Sequence, residues 1–372
     1  GLRKGLLMKT WEKNIRQVLP YIPGEQPKQA DIIKLNTNEN PYPPSPRVAE
    51  TLEQFQTGEL RLYPDPDSNI LVEALADFYQ IDRSRIFVGV GSDDVLAVSF
   101  LTFFNSGKPV LFPDITYSFY DVWARLFQIP FEQIPLDGEF QIRKSDYFRE
   151  NGGVVFPNPN APTGILMGLP EIEDIISHNQ DVVVIVDEAY IDFGGISAFP
   201  LLDKYDNLLI IQTVSKSRAL AGLRVGYAFG SPQLISYLND VRNSFNSYTM
   251  NRLTQTLGAA AVRDREYFER TNALIIATRE RIKRELKQLG FSFQDSKSNF
   301  LFVTHPSVKA GVIYESLRAA GIYVRHFSKP ERISDYLRIA VGTDQEMDCL
   351  LIKLKEILQQ HGDLHGNTGE CQ

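Results

Sequence analysis

A serine, a lysine and an arginine stand close together in the segment TVSKSRALAGLRVGYAFG, residues 213–230. Ser215 and Lys216 follow NLLIIQ, a run of apolar β-forming residues typical of a buried strand, and Arg224 comes eight positions after Lys216. Because an amine is costly to bury without a partner, Lys216 is expected either to lie in solvent at the strand end or to be chemically occupied. The end of this strand is therefore a candidate reactive site.

A carboxylate follows another apolar run. Asp187 comes directly after VVVIV, residues 182–186. At the end of a buried strand it needs a cationic partner to offset its desolvation. A protonated ring nitrogen of a ligand meets that need, and so does an arginine of the same chain in a structural ion pair. The residues alone leave both interpretations open.

The segment GVGSDDVL, residues 89–96, lies between a predicted strand and an apolar helical pattern. Free backbone N–H groups at such a helix start, here at Gly91 and Ser92, can hold a phosphate. A dinucleotide-binding fingerprint is excluded, because its third glycine would fall on Asp94. Taken alone, the segment is better explained as an ordinary helix start capped by Ser92 or Asp93.

A Pro- and Gly-rich segment, FPNPNAPTG at residues 156–164, predicts a turn after a strand. Asn158 and Asn160 could direct their amides from this turn into a crevice. As an isolated motif, the segment indicates only a turn.

Six short β-rich runs must position these residues. Uninterrupted apolar runs are typical of strands buried on both faces, which favours a mostly parallel sheet covered by helices. The runs are RIFVGV, PVLFP, GVVFPNP, DVVVIVDEAYI, NLLIIQTV and VGYAFG. They predict an α/β unit that carries all the candidate residues above.

A smaller α+β unit is predicted towards the C-terminus. A helix with Ile275, Ile282, Leu286 and Leu289 on one stripe precedes the strand-like runs FLFVTH, GIYVRHF and YLRIAVG. We expect three parts: residues 1–45 complete the smaller unit, residues 46–252 form the large unit, and residues 253–372 form the smaller unit with a polar tail.

Composition narrows the class of function. The 372 residues carry a net charge of −7 with 43% hydrophobic residues, and no cluster of Lys and Arg interleaved with aromatic residues occurs, which argues against nucleic acid as a partner. Cys349 and Cys371 are too few for a disulfide framework. No apolar run reaches the roughly 18 residues of a membrane span. We expect a cytoplasmic protein that acts on small molecules, with residues 1–7 set aside as a leader or an added segment.

The motifs occur in an order that resembles the fold type I pyridoxal-phosphate aminotransferases. The similarity extends from about residue 14 to 358. It is carried by LNTNENPYPPSP, RLYPDP, GVGSDDVL, VDEAYIDF, TVSKSRALAGLRVGY and YLRIAVGT. The resemblance implies fold type I, with a large domain whose mixed, mostly parallel sheet lies between helices and a smaller α+β domain.

The resemblance also implies the cofactor pyridoxal 5'-phosphate and a role for each matching residue. Lys216 would bind the cofactor covalently and later act as general base, Asp187 would pair with the ring nitrogen, and Tyr190 would hydrogen-bond the ring oxygen. Tyr117 would stack on the ring. The cofactor phosphate would be held by Gly91, Ser92, Asp93, Ser215 and Arg224, together with Tyr63 of a neighbouring subunit.

One position departs from the family pattern. The family usually has an asparagine directly before the Pro-Thr-Gly turn, where it donates to the ring oxygen, but this chain has Ala161 there. We expect Asn160 or Asn158 to take over that contact.

For the substrate, the resemblance points to residues that bind anionic groups. Arg325 and Arg338 would act with Tyr21, Asn40 and Tyr63. The planar fork of a guanidinium binds either a carboxylate or a phosphate. For each arginine taken alone, a salt bridge is the simpler explanation.

The resemblance implies transamination of L-histidinol phosphate with 2-oxoglutarate, giving imidazole acetol phosphate and glutamate in histidine biosynthesis. Two alternatives share the motifs: transamination of aromatic amino acids, and pyridoxal-phosphate-dependent decarboxylation of a phosphorylated amino acid. A regulator or binding module that carries the cofactor is a third, although the sequence has no basic DNA-binding arm. We expect a homodimer with shared sites and no metal site. His361 and His365 are four residues apart, but they lie in the polar, glycine-containing tail HGDLHG.

Overall fold

The computed structural model describes residues 9–362, which form thirteen strands and ten α-helices. The strands are β1 (Ile33–Lys34), β2 (Ile86–Gly89), β3 (Val110–Pro113), β4 (Phe131–Ile134), β5 (Gly153–Pro157), β6 (Val184–Asp187), β7 (Leu208–Thr213), β8 (Gly226–Phe229), β9 (Ser292–Phe293), β10 (Phe300–Thr304), β11 (Ile322–Tyr323), β12 (Arg325–His326) and β13 (Leu337–Ala340). The helices are α1 (Pro46–Gln54), α2 (Asn69–Tyr79), α3 (Ser92–Phe103), α4 (Tyr120–Leu126), α5 (Leu169–Ser177), α6 (Pro232–Phe245), α7 (Arg252–Arg263), α8 (Arg265–Gln288), α9 (Ala310–Ala319) and α10 (Asp344–Gly362).

Seven strands form the large sheet, in the order β2-β8-β7-β6-β5-β3-β4. Only β8 runs antiparallel to its neighbours β2 and β7, and the other pairs are parallel. The predicted α/β class with a mostly parallel sheet is confirmed. The edge strand β4 was not predicted, because Glu132 and Gln133 in its middle are exposed and break the apolar run.

Both faces of this sheet are buried. Along β6, Val184 and Val186 pack into one apolar core and Ile185 packs into another on the opposite face. Side chains alternate between the two faces of a strand, so two cores require a continuous apolar run. This arrangement explains why the run before Asp187 lacks the alternation of a half-exposed strand.

The residues that the sequence predicts to be reactive or to bind a ligand lie at one edge of this sheet. Asp187 ends β6, Asn158 follows β5, and Ser215 and Lys216 follow β7, so all of them lie at the carboxyl ends of adjacent parallel strands. Gly91 likewise follows β2. In open α/β sheets, ligands bind at this edge.

The smaller unit contains a four-stranded antiparallel sheet, β12-β13-β10-β9, and a parallel pair of β1 with β11. Leu35, next to β1, packs in its core with Ile282 and Leu286 of α8. The domain boundaries stay a prediction. Since α7 packs Leu257 and Val262 into the core of the large sheet, the packing favours a boundary later than residue 252.

Two further features concern the ends of the described chain. Helix α10 continues through Gly362, so His361 is helical and not part of an irregular tail, while His365, Cys371 and residues 1–8 lie outside the described residues. Between residues 9 and 362, no helix is both long enough and apolar enough to cross a membrane.

Candidate active site

The amine of Lys216 lies between the large unit and the N-terminal segment. Its Nζ donates to the carbonyl of Thr37 at 3.1 Å and lies 5.7 Å from the centre of the Tyr190 ring. The side-chain amide of Asn40 donates to the Lys216 carbonyl at 2.9 Å, which fixes the loop after β7. The side chain is half-buried, so its amine is held next to Tyr190 and remains reachable from the cleft.

Asp187 is a buried carboxylate with no cation beside it in the part of the chain that the structure describes. Its two oxygens accept from the Tyr120 hydroxyl at 2.8 Å and from the Ala189 N–H at 3.2 Å. Within residues 9–362 no lysine or arginine forms a salt bridge with it, so the structural ion pair is not seen there. Burial raises the pKa of Asp187 to about 6. The charge of Asp93 also raises this pKa, whereas the two hydrogen bonds lower it. A ligand that brings a cation to this carboxylate would offset its desolvation.

The start of α3 forms a cup beside an arginine. Gly91 occupies the N-cap position with φ +88°, so neither Ser92 nor Asp93 caps the helix as the simpler interpretation expected. A Cβ on Gly91 would lie 2.5 Å from Nη2 of Arg224. The lack of a side chain therefore lets the guanidinium lie over the helix start, where N–H groups and a cation together suit a phosphate.

Asp93 links this cup to an aromatic residue. One oxygen accepts from the Tyr117 hydroxyl at 2.7 Å, and the other lies 3.6 Å from Nη2 of Arg224. Ser215 is buried, and its Oγ accepts from the Thr213 hydroxyl at 2.8 Å. The structure therefore brings Gly91, Asp93 and Arg224 together at the end of β2, and Ser215 lies at the end of β7, on the same edge of the sheet. Their contact with a phosphate stays a prediction.

Both asparagines of the turn after β5 use their amides within the fold. Asn158 forms two hydrogen bonds with the backbone of Met167, one from each end of its amide. The Asn160 amide contacts Thr116, the Ile115 carbonyl and Thr163. The contact of either residue with a cofactor oxygen stays a prediction.

Sequence reasoning missed a partner of Tyr190. The amide of Asn38 donates to the Tyr190 hydroxyl oxygen at 3.0 Å. Because this oxygen accepts from Asn38, the Tyr190 proton is free to point towards a ligand. Asn38 lies in LNTNENP, a marker of the family, but its distance of 152 positions from Tyr190 hid the pairing.

Two arginines face the site from the smaller unit. Arg325 and Arg338 are direct partners across β12 and β13. Arg338 Nη2 donates to the Asn36 carbonyl at 3.0 Å. Burial lowers the pKa of Arg338, and the like charge of Arg325 lowers it further. Neither arginine forms a salt bridge within the described part of the chain, so both positive charges are available to bind an anionic ligand.

The remaining predicted residues lie near the opening and at the surface. Tyr21 stacks on Phe119, with ring centres 4.1 Å apart. Tyr63 is 79% exposed and stacks on Tyr248 at 4.6 Å. Tyr63 is therefore available to another molecule.

These observations fit pyridoxal phosphate, which offers an aldehyde, a basic ring nitrogen and a phosphate. Lys216 has an amine for the aldehyde, and Asp187 is a buried carboxylate with no cation beside it in residues 9–362, which suits the nitrogen. The start of α3 at Gly91, where the absence of a Cβ leaves room for the Arg224 guanidinium, suits the phosphate. The three features lie at one edge of one sheet.

Comparison with known proteins gives the family. Residues 30–354 match the family described as aminotransferase class I and II. The histidinol-phosphate aminotransferase of Lactococcus lactis subsp. cremoris (strain MG1363) is 52% identical over 350 residues, covering 94% of this chain and 98% of that protein. The histidinol-phosphate aminotransferase of Clostridium acetobutylicum is 51% identical over 352 residues, covering 95% and 100% respectively.

Solved structures agree on the fold. Histidinol-phosphate aminotransferase from Sinorhizobium meliloti, solved in complex with pyridoxal-5'-phosphate, has a TM-score of 0.80 at 24% identity and covers 88% of this chain and 91% of its own. The structure from Clostridium acetobutylicum has a TM-score of 0.82 at 21% identity, covering 88% and 100%. The chain belongs to the class I and II aminotransferases, among the histidinol-phosphate aminotransferases, and is a pyridoxal-phosphate-dependent enzyme.

Proposed function

We propose that the protein transfers the amino group of L-histidinol phosphate to 2-oxoglutarate, giving imidazole acetol phosphate and glutamate in histidine biosynthesis. The observation that carries the reaction type is the buried Asp187, which has no cation beside it in residues 9–362 and lies one strand away from the loop of Lys216. Relatives of about 50% identity that bear the name histidinol-phosphate aminotransferase support the substrate.

Lys216 is the residue that moves protons. Its amine would hold the cofactor covalently in the resting protein and, once free, would act as the general base at the donor Cα. Bound pyridoxal phosphate would supply an electron sink for the electron pair at that carbon. The same amine would carry the proton that the transfer of the amino group moves.

The other residues of the site are proposed to bind and orient the cofactor. Asp187 would hold the ring nitrogen in its protonated state, and Tyr190, which accepts from Asn38, would donate to the ring oxygen. Tyr117 would cover the ring. Backbone and side chains of Gly91, Ser92, Asp93, Ser215 and Arg224 would hold the phosphate.

The paired arginines favour a substrate with anionic groups. Two adjacent guanidinium groups without an acidic partner in residues 9–362 match the phosphate of histidinol phosphate and, in the second half-reaction, a carboxylate of glutamate. Tyr21 and Asn40 are proposed to act with this pair: Asn40 contacts the Lys216 loop, and Tyr21 stacks on Phe119.

Replacing Arg338 with alanine should weaken both half-reactions, because each anionic group loses its fork-shaped partner. For glutamate and for histidinol phosphate, we expect kcat/KM to fall by an amount that corresponds to a loss of transition-state stabilisation on the order of 2 to 5 kcal/mol, as for a desolvated charge pair. Steady-state kinetics with each amino donor measures this. Arg318→Ala is the control, because Arg318 pairs with Glu25 at the surface. Unchanged kinetics for both donors in Arg338→Ala would refute the assignment.

A donor screen tests the substrate. The amino acceptor 2-oxoglutarate is supplied with histidinol phosphate, with phenylalanine or with a phosphorylated amino acid, and both keto product and CO₂ are measured. We expect the highest kcat/KM with histidinol phosphate and no CO₂. Preference for phenylalanine would support an aromatic aminotransferase, CO₂ release would support a decarboxylase, and no turnover with any donor would support a binding module.

The enzyme is further proposed to act as a homodimer in the cytoplasm, with Tyr63 completing the partner's site. In support, Tyr63 is exposed, and other apolar side chains are exposed near it in sequence and in space. They include Leu60, Leu62 and Tyr248. Its hydroxyl would reach the cofactor phosphate across the two-fold axis.

Mixed dimers test this sharing of sites. Tyr63→Ala and Lys216→Ala homodimers should each be impaired, but a mixed dimer has one complete site. It combines Lys216 of one chain with Tyr63 of the other. Unfolding and refolding the two variants together should restore activity above that of either parent. Activity equal to the average of the parents would mean that Tyr63 serves its own chain.

A further inference from the structure

The hydroxyl of Tyr120 lies against the carboxylate of Asp187 inside the large unit. Tyr120 is the first residue of α4, 67 positions before Asp187, and its hydroxyl donates to Oδ2 at 2.8 Å. Tyr120 is completely buried. Because Oδ1 accepts from the Ala189 N–H, each carboxylate oxygen has a protein donor before any ligand binds.

Packing accounts for the ring of Tyr120 but not for its hydroxyl. The ring contacts Phe100, Phe112 and Trp123, with ring centres 6.2, 5.7 and 6.3 Å apart. Phenylalanine would fill the same space. A buried hydroxyl costs free energy unless it is hydrogen-bonded, and this hydroxyl donates its hydrogen bond to Asp187. Removing it should therefore act mainly on the Asp187 carboxylate.

We propose that Tyr120 is a positioning residue for transamination: its hydroxyl orients the Asp187 carboxylate and keeps it ionised for the ring nitrogen of pyridoxal phosphate. The inference rests on the proposed role of Asp187. Oriented donors around a ligating group are a common way to fix its geometry and tune its basicity.

The charges around Asp187 show why this donor matters. Burial raises the pKa of Asp187 to about 6; the hydrogen bonds from Tyr120 and Ala189 oppose this rise, and the charge of Asp93 adds to it. Burial also raises the pKa of Tyr120 well above its ordinary value, and Asp187, Tyr117 and Asp93 raise it further. Tyr120 therefore stays protonated and keeps donating throughout the pH range in which Asp187 titrates. Without the hydroxyl, Asp187 would hold its proton to higher pH.

The first test uses the protein without cofactor. Carboxyl carbons of aspartate are labelled with ¹³C, the Asp187 signal is identified by its loss in Asp187→Asn, and its chemical shift is followed against pH. We expect the midpoint to rise by about one pH unit or more in Tyr120→Phe, since a hydrogen bond to a charged group is lost. Tyr147→Phe is the matched control, because the Tyr147 hydroxyl is buried without a hydrogen-bond partner in residues 9–362. This control should keep the wild-type midpoint.

The second test loads the same variants with pyridoxal phosphate labelled with ¹⁵N in the ring. The ¹⁵N chemical shift reports protonation of the ring nitrogen, and single-turnover kinetics reports removal of the Cα proton. In Tyr120→Phe we expect the shift to move towards the unprotonated ring and the rate to fall about tenfold, as one pH unit corresponds to one decade. The apparent Kd of the amino donor should stay within twofold. Tyr147→Phe should match the wild type in all three quantities.

The outcomes separate the inference from the proposed function. An unchanged Asp187 midpoint in Tyr120→Phe overturns the inference and leaves the role of Asp187 intact. A raised Asp187 midpoint in Tyr120→Phe, together with wild-type rates of Cα proton removal in both Tyr120→Phe and Asp187→Asn, overturns the role of Asp187 itself. If Tyr120→Phe is poorly folded, 3-fluorotyrosine at position 120 keeps the shape and is a stronger donor, so it should lower the midpoint. A midpoint that does not move with this residue overturns the inference as well.

Discussion

Replacing Lys216 with alanine is expected to lower turnover by several orders of magnitude in a protein that still folds and still binds pyridoxal phosphate. The loss is large because one side chain serves as both nucleophile and general base. Binding persists because Asp187, Arg224 and the start of α3 remain. Turnover of histidinol phosphate and fluorescence titration with pyridoxal phosphate measure the two effects.

Three controls sharpen this expectation. Lys204→Ala removes an exposed lysine that pairs with Glu173 and should leave turnover unchanged. Added methylamine should partly restore proton transfer in Lys216→Ala, because it supplies the missing base. Borohydride reduction of the wild type followed by peptide mass spectrometry should place the cofactor on Lys216, and a label on any other lysine would contradict the assignment.

The second large effect is expected for Asp187→Asn. Asparagine keeps the shape but removes the charge that holds a proton on the ring nitrogen. Breaking a buried charge pair costs about 3 to 5 kcal/mol, which predicts that removal of the Cα proton slows by roughly 100-fold to 1000-fold or more. Affinity for pyridoxal phosphate should change only modestly, since the phosphate contacts remain. Stopped-flow single-turnover kinetics measures the rate.

A neighbouring carboxylate provides the control for Asp187→Asn. Glu188 is buried, and its oxygens accept from Ser197, the Ala198 N–H and Gln212. Glu188→Gln therefore also removes a buried carboxylate, but one whose partner Ala198 packs in the core on the opposite face of the sheet from Tyr120. It should keep the wild-type rate of proton removal. Near wild-type rates in Asp187→Asn would instead mean that Asp187 is only structural.

The sequence predicted elements whose surroundings are uniform. In β6 and β7, residues 184–186 and 208–211 lie between two cores and are all apolar, and the sequence shows these uninterrupted apolar runs. The strand β4 has exposed Glu132 and Gln133, and β1 and β9 have two residues each, so their local signal is weak. They are defined by their pairing with distant strands.

Contacts between distant residues explain what was missed in the site. The family motifs named Lys216, Asp187 and Tyr190, but not Tyr120 or Asn38, which reach the site from 67 and 152 positions away. Tyr120 lies in an aromatic-rich stretch, and such stretches are typical of a protein core. Its ring does lie in the core, and only the three-dimensional structure shows where its hydroxyl points.

The start of α3 illustrates a different limit. Serine and aspartate are common N-cap residues, so the sequence favoured Ser92 or Asp93 as the N-cap of this helix. The structure places Gly91 at the cap with a positive φ, and the guanidinium of Arg224 lies where a side chain at this position would have to lie. This close approach is between residues that are far apart in the sequence, so local sequence preferences cannot predict it.

The half-reaction with L-histidinol phosphate alone tests the central claim most directly. The protein loaded with pyridoxal phosphate is mixed with this donor in the absence of 2-oxoglutarate, and the cofactor absorbance and the products are followed. We predict that the absorbance of the lysine-bound cofactor disappears, that about one imidazole acetol phosphate forms per chain without CO₂, and that 2-oxoglutarate then restores the spectrum and yields glutamate. An unchanged spectrum with histidinol phosphate, together with full bleaching by phenylalanine, would contradict the account.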